Sequence, residues 1–424
     1  MPSPIESSRR EFLSRLAVAG VAAGLAPRAA SAGASATEDA SFFAALRDHF
    51  LVPPGVAYCN TGTLGASPRE VVDALATGVR ALESELADWP YEKPDGEPLT
   101  GYQELVDVRT AVGRLVGASA AEIALTQNAT MGMSFLANGL DLAAGDEVLS
   151  TDQEHPGGIC AWRLLAKRRG IVVKELPLEP ALPGGPEAVV KLFAGAMTPR
   201  TRVLVFSHVT SGLGVRMPAR ELCALARERG ALALVDGAQA VGQIAVDVTA
   251  LGCDAYVASP HKWLLAPKGT GFLFLRRAVQ ERFWTTLASS AFDDRDRGAF
   301  RFMQYGTGSV PLVQALREAL RFMDGIGIER VERYDGALTK RLRDGLARIP
   351  SVRLRSPSDP RLAAAITTFR VEGLTGKALQ DALWSRKVRV RSQGEEKGVR
   401  LSAHVYVSPG DIDTVLGVVE GLRG

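Results

Sequence analysis

Between about residues 105 and 290 the chain alternates helical patterns with short, β-branched apolar runs, and this alternation limits the fold more than any other feature. The runs are Glu147-Val148-Leu149-Ser150, Gly170-Ile171-Val172-Val173, Arg202-Val203-Leu204-Val205-Phe206, Ala233-Leu234-Val235-Asp236, Ala255-Tyr256-Val257-Ala258 and Phe272-Leu273-Phe274-Leu275. Runs with little polar alternation are strands buried on both faces, which predicts an α/β fold: a three-layer αβα, mainly parallel sheet covered by helices. Binding sites in such sheets lie in the crevice beyond the carboxyl ends of the strands. His155, His208, Asp236 and Lys262 all stand at those ends.

The flanks set the domain organisation. Ser8-Arg9-Arg10-Glu11-Phe12-Leu13, then the mild apolar stretch Leu16 to Ala26 and the small residues Ala30-Ser31-Ala32, read as a twin-arginine signal over residues 1–33. The mature chain is therefore expected to be exported or periplasmic, with no stable membrane anchor after processing. Residues 34–60 hold a helical pattern and the short strand Val56 to Asn60, and are expected to pack on the small domain. The large domain is expected over 61–300. It opens with the turn-rich Thr61-Gly62-Thr63-Leu64-Gly65 and a helix from Ser67-Pro68 carrying Val71, Leu75, Val79 and Leu82. A polar loop over 89–100 reads as a lid or a surface excursion. The small α+β domain, 301–424, has helices over Leu312 to Met323 and Leu338 to Ile349. Strands follow at Ala365 to Phe369 and Val388 to Arg391, then a last helix from Asp411. The formal charge of +3, part of it in the N-terminal segment, implies no nucleic-acid footprint. Four scattered cysteines show neither metal-type spacing nor a disulfide framework, and no metal site is expected.

Within this frame Ser259-Pro260-His261-Lys262-Trp263 is the centre of chemistry. It follows one strand and leads through Lys268-Gly269-Thr270-Gly271 into the next. A lysine so placed suits an amine held in a crevice to condense with a carbonyl, against the plainer reading of a snorkelling surface charge. Leu125-Thr126-Gln127-Asn128-Ala129-Thr130 opens a helix whose free amides form an anion site, or an ordinary capped start. Asp236 ends an apolar strand, where a carboxylate needs a cationic or hydrogen-bonding partner, or else caps the next helix. Gln239 can offer its amide to a neighbouring oxygen, and His155 can lay its ring on an aromatic one.

The ordered set Thr-Gln-Asn-Ala-Thr, Glu-His-Pro-Gly, Ser-His-Val-Thr-Ser, Val-Asp-Gly-Ala-Gln and Ser-Pro-His-Lys resembles the class V aminotransferase family, fold-type I pyridoxal-phosphate (PLP) enzymes. Cysteine desulfurases and the isopenicillin N epimerase-like group belong to it, and this chain resembles the latter group. The resemblance covers nearly the whole mature chain. It implies PLP carried on Lys262, with Asp236 at the pyridine nitrogen, Gln239 at the ring hydroxyl and His155 stacked on the ring. It implies phosphate contacts from Ala129, Thr130, Ser259 and His261. Thr307, in Tyr305-Gly306-Thr307-Gly308, matches a threonine lent by a second subunit, so a homodimer is implied. Arg400 is the first candidate for the substrate carboxylate and Arg391 the second, with Asn60 beside them. Ser211 stands where many relatives place an asparagine in ring contact. The segment Ser392 to Gly398 lacks the desulfurase cysteine, and no cysteine follows Cys253.

The expected function is a PLP enzyme acting on the amino group of an amino acid or peptide-borne amino acid. Aminotransfer is the first expectation and epimerisation the alternative; a cysteine desulfurase-like lyase ranks below both. A non-catalytic protein retaining the fold is the reading from outside enzymology, and intact Lys262 and Asp236 speak against it.

Overall fold

The computed structural model describes residues 36–85 and 104–422; the signal reading and the 89–100 loop lie outside these residues. In chain order, α1 (Ala36–Leu46) leads to β1 (Ala57–Tyr58) and α2 (Arg69–Glu85). Then come α3 (Val106–Val116), β2 (Ile123–Thr126), α4 (Ala129–Gly139), β3 (Glu147–Thr151), α5 (Pro156–Arg169) and β4 (Val172–Leu176). α6 (Gly185–Ala196), β5 (Thr201–Ser207), α7 (Ala219–Glu228), β6 (Leu232–Asp236), β7 (Ala255–Ala258) and β8 (Gly271–Leu275) complete the central layer. Beyond it lie α8 (Val310–Ile326), α9 (Ile328–Leu346), β9 (Val352–Leu354), β10 (Thr367–Val371), α10 (Gly376–Ser385), β11 (Val388–Arg389), β12 (Arg391–Ser392), β13 (Val399–Leu401) and α11 (Pro409–Gly421).

The central sheet has the order β2-β8-β7-β6-β5-β3-β4. β4, β3, β5, β6 and β7 run parallel, and β8 returns antiparallel between β7 and β2. This is the mainly parallel, helix-covered architecture that the alternating runs predict. β2, β3, β6, β7 and β8 are buried along their whole length. Helix ends follow from local chemistry. α5 starts with Pro156 at its first turn, ends on Lys167-Arg168-Arg169, and is closed by Gly170 at φ 73°. In α11, Ser408 and Asp411 form a reciprocal capping box.

The second sheet, β12-β13-β10-β9, is antiparallel and belongs to the smaller C-terminal part of the fold. The N-terminal segment reaches over to this part. β1 pairs in parallel with β11, and Phe43 stacks on Tyr334 of α9 at 3.8 Å. One expected element divides. Val388 to Arg391 reads as a single strand, yet Val388–Arg389 pairs with β1 while Arg391–Ser392 pairs with β13. The apolar pattern is unbroken because Val388 and Val390 are both buried, so periodicity cannot register a change of partner. Among the described residues no helix is long and apolar enough to cross a membrane.

Candidate functional site

The crevice forms where β5, β6 and β7 end. Ser207 and Asp236 are register partners at the last positions of β5 and β6. Asp236 is 5% exposed, and its Oδ1 accepts the Ala238 N–H at 2.9 Å. Its Oδ2 faces the start of α5: a Cβ on Gly158 would sit 2.9 Å from that oxygen. Glycine there lets the helix lie against the carboxylate. His155 caps α5, its Nδ1 accepting the Gly157 N–H at 3.0 Å. With Nδ1 accepting, the ring proton sits on Nε2. Burial and then Lys262 hold the imidazole below its usual range, against the pull of Asp236. His155 is therefore a neutral ring with a solvent-exposed surface beside Asp236.

Lys262 lies four residues past β7 and is 9% exposed. Burial lowers its pKa to about 8; Asp236 opposes that shift, while Arg400 and Arg391 add to it. This is an amine that loses its proton far more readily than one in water. The loop 61–65 fixes its backbone. Gly65 donates its N–H to the His261 carbonyl at 2.9 Å, and a Cβ on Gly65 would lie 1.9 Å from the Lys262 carbonyl oxygen. Close backbone approach is what this glycine provides.

At the other end of the crevice Asn128 caps α4 through the Met131 N–H, and the Ala129 N–H donates to Ser259 Oγ at 2.9 Å. Thr130 is exposed beside them, its Oγ1 toward Gly157. His261 Nδ1 is buried with no hydrogen-bond partner, and burial drives the ring's pKa down to about 4. Gln239 is buried; its Nε2 donates to the Gly62 carbonyl and its Oε1 accepts from Trp263 Nε1, both at 2.8 Å. The second N–H of that amide remains to donate. Thr307 is exposed, in the loop leading to α8, and joins none of these contacts within the chain.

The arginines meet on the open side. Arg391 and Arg400 are cross-strand partners of β12 and β13. Arg400 is 1% exposed and is pushed down to about 10 by burial, with a further contribution from Arg391. Its Nη1 donates to the Ser211 carbonyl and hydroxyl at 3.0 and 3.2 Å, its Nη2 to Thr63 Oγ1 at 2.7 Å and Asn60 Oδ1 at 3.4 Å. Arg391 is exposed and reaches the same Thr63 oxygen at 3.5 Å. Ser211 and Asn60 thus hold Arg400.

Three groups were not singled out by the sequence patterns. Glu154, beside His155, receives the hydroxyls of Thr151 at 2.7 Å and Ser207 at 2.6 Å, and burial pushes it up to about 7. Thr63 joins the two arginines. Asp335, from α9, lies 2.7 Å from His404 Nδ1, and His404 Nε2 is 2.8 Å from the carbonyl oxygen of Trp263. A carbonyl only accepts, so Nε2 carries a proton and the imidazole clamps the peptide that follows Trp263, next to Lys262. The one available signal was the run of histidines in loops; Asp335 itself lies unmarked on a helix.

The family model described as Aminotransferase class-V matches residues 99–415. Isopenicillin N epimerase of Streptomyces clavuligerus is 32% identical over 397 residues, covering 89% of this chain and 98% of that protein. A cysteine desulfurase of Salmonella newport (strain SL254) is 28% identical over 327 residues, 72% of this chain and 75% of that protein. Among solved structures, a mutant of the cystine C-S lyase C-DES with glycine covalently linked to its PLP cofactor superposes with a TM-score of 0.77. It is 24% identical, covering 88% of this chain and 98% of that one.

Proposed function

Because the chain belongs to the class-V aminotransferase family, we propose that it carries pyridoxal 5'-phosphate on Lys262 and acts on the amino group of an amino acid or peptide-borne amino acid. The observation that carries this reading is the buried, readily deprotonated Lys262 amine in one crevice with the Asp236 carboxylate. The residues present fit the cofactor. Asp236 Oδ2 is left open across Gly158 for a ring N–H, and His155 offers a neutral face for stacking. The Ala129 amide and the Ser259 hydroxyl meet at the start of α4, where an anion is favoured, and His261, two residues past Ser259, keeps a buried Nδ1 without a partner.

When bound, PLP supplies an electron sink for the carbanion formed at the substrate α-carbon. The chain's own residues supply the rest. Asp236 would face the ring nitrogen and keep a proton there. Lys262 Nζ, once free of the cofactor, takes and returns the α-proton, for which a pKa near 8 is suited. Arg400 would hold the α-carboxylate with its unpartnered Nε and with Nη donors now shared among Ser211, Thr63 and Asn60.

We favour aminotransfer, in which Lys262 would return the proton to an atom other than the substrate α-carbon. Epimerisation, its return to the opposite face of the α-carbon, is the second reading, supported by the full-length similarity to isopenicillin N epimerase. Persulfide-forming desulfuration has less support: Cys59, Cys223 and Cys253 are buried, and residues 392–398 hold no cysteine. Export by the twin-arginine route rests on residues 8–13. A homodimer rests on the exposed Thr307, which would complete the phosphate site of a second copy. If so, mixing inactive Lys262→Ala and Thr307→Val chains should restore part of the activity.

Purified protein should absorb near the visible edge, lose that band with borohydride, and lack it as Lys262→Ala. A colourless protein after PLP addition would refute the cofactor assignment. Incubation with amino acids in deuterated water separates the two reactions: keto acid indicates aminotransfer, an inverted and labelled amino acid epimerisation.

A further inference from the structure

The open side of the crevice holds more positive charge than one carboxylate can neutralise. Arg391 and Arg400 face each other in register and both reach the single neutral oxygen of Thr63, at 3.5 and 2.7 Å. Arg389 stands two positions before Arg391 and is the register partner of Tyr58 on β1. Its guanidinium lies over the Trp384 ring at 3.6 Å, and Arg389 and Arg400 both act on the Tyr58 phenol. Among the described residues, none of these three guanidiniums has a carboxylate within 4.0 Å. Arg341, Arg353 and Arg361, on other parts of the surface, all do: Asp413, Glu372 and Glu187 answer them. Arg391 and Arg400 also act on Lys262.

Like charges held together without counter-ions raise the energy of the free protein, and an anion relieves it. A single α-carboxylate on Arg400 leaves the outer charge unanswered. We propose that the substrate carries a second acidic group, and that Arg389, framed by Tyr58 and Trp384 and assisted by Arg391, is its subsite. The substrate class is then a dicarboxylic amino acid, free or borne on a peptide. Tyr58, whose O–H donates to the Leu64 carbonyl at 2.8 Å, walls the rim without donating to the acid, and Trp384 keeps the Arg389 fork flat and pre-oriented. This subsite rests on the reading that Lys262 serves an amino-acid substrate.

Unreactive acids test it without chemistry. Calorimetric titration of the holoenzyme with succinate, glutarate and adipate is compared with butyrate. At least one diacid should bind tenfold or more tightly than butyrate. Arg389→Gln should reduce that diacid to the butyrate level while leaving butyrate within about twofold, and Arg389→Lys should fall between. Arg400→Lys should weaken both kinds of acid. Equal affinity for mono- and diacids, undetectable binding of both, or an Arg389→Gln protein that keeps the preference would each overturn the proposal. The Lys262 reading is judged separately by the borohydride-sensitive band, so either can fail alone.

Discussion

At the scale of single residues, the depressed pKa of Lys262 has a thermodynamic counterpart. The folded amine releases its proton near pH 8, the unfolded one near 10.5, so burying the ammonium costs stability in full below pH 8. That cost is roughly 3 kcal/mol and disappears as pH rises through 10.5. Lys262→Met should therefore make the PLP-free protein more stable than the parent at pH 7, with the gap closing toward pH 10.5. Urea titrations at the two pH values check this, and a gap independent of pH would contradict it. Arg400 differs, because its nitrogens are spread over Ser211, Thr63 and Asn60. Lysine keeps the charge but not the fork. Arg400→Lys should lower kcat/KM for carboxylate substrates about 100-fold, a loss of about 3 kcal/mol, with PLP content unchanged. Equal loss of both would remove its assigned role.

Between elements, the decisive contact is the seating of loop 61–65 on the Lys262 loop. The Cβ of Gly65→Ala would fall 1.9 Å from the Lys262 carbonyl oxygen, so one backbone must move. That substitution should cost about 2 kcal/mol or more and reduce PLP occupancy. Gly145→Ala is the control: its φ of +85° is strained for alanine, but nothing lies within 4 Å of the added carbon. It should cost about 1 kcal/mol and leave PLP occupancy alone. Thermal melts with cofactor absorbance separate the two. Legibility also divides at this scale. Asp236 and Lys262 follow uninterrupted apolar strands, and the crevice at strand ends could be anticipated from that. The change of partner at Val390 could not, because both halves of the stretch carry the same burial pattern.

For the molecule as a whole, Asp335 and His404 join α9, the segment after β13 and the lysine loop in one buried bridge, at 1% and 0% exposure. Replacing one member leaves the other buried without its hydrogen-bond partner. Asp335→Asn should cost about 1–3 kcal/mol, read as a fall in the unfolding midpoint. Burial raises the Asp335 pKa, and contact with His404 opposes that shift. The bridge also ties the small C-terminal part to the catalytic loop, so the same variant should broaden or shift the cofactor band; an unchanged band would limit the bridge to stability.

The chain's own order of residues determined the layered architecture and the strand ends where chemistry gathers, because periodicity and strand-end polarity are local properties. Tertiary structure alone decided that Arg391 faces Arg400, that both converge on Thr63, and that Asp335 reaches His404. Those partners are 69 to 337 positions apart where they are hydrogen-bonded across the chain. Pairings at such separations depend on strand register and on how the C-terminal part packs against the sheet, neither of which is written in any local window of sequence.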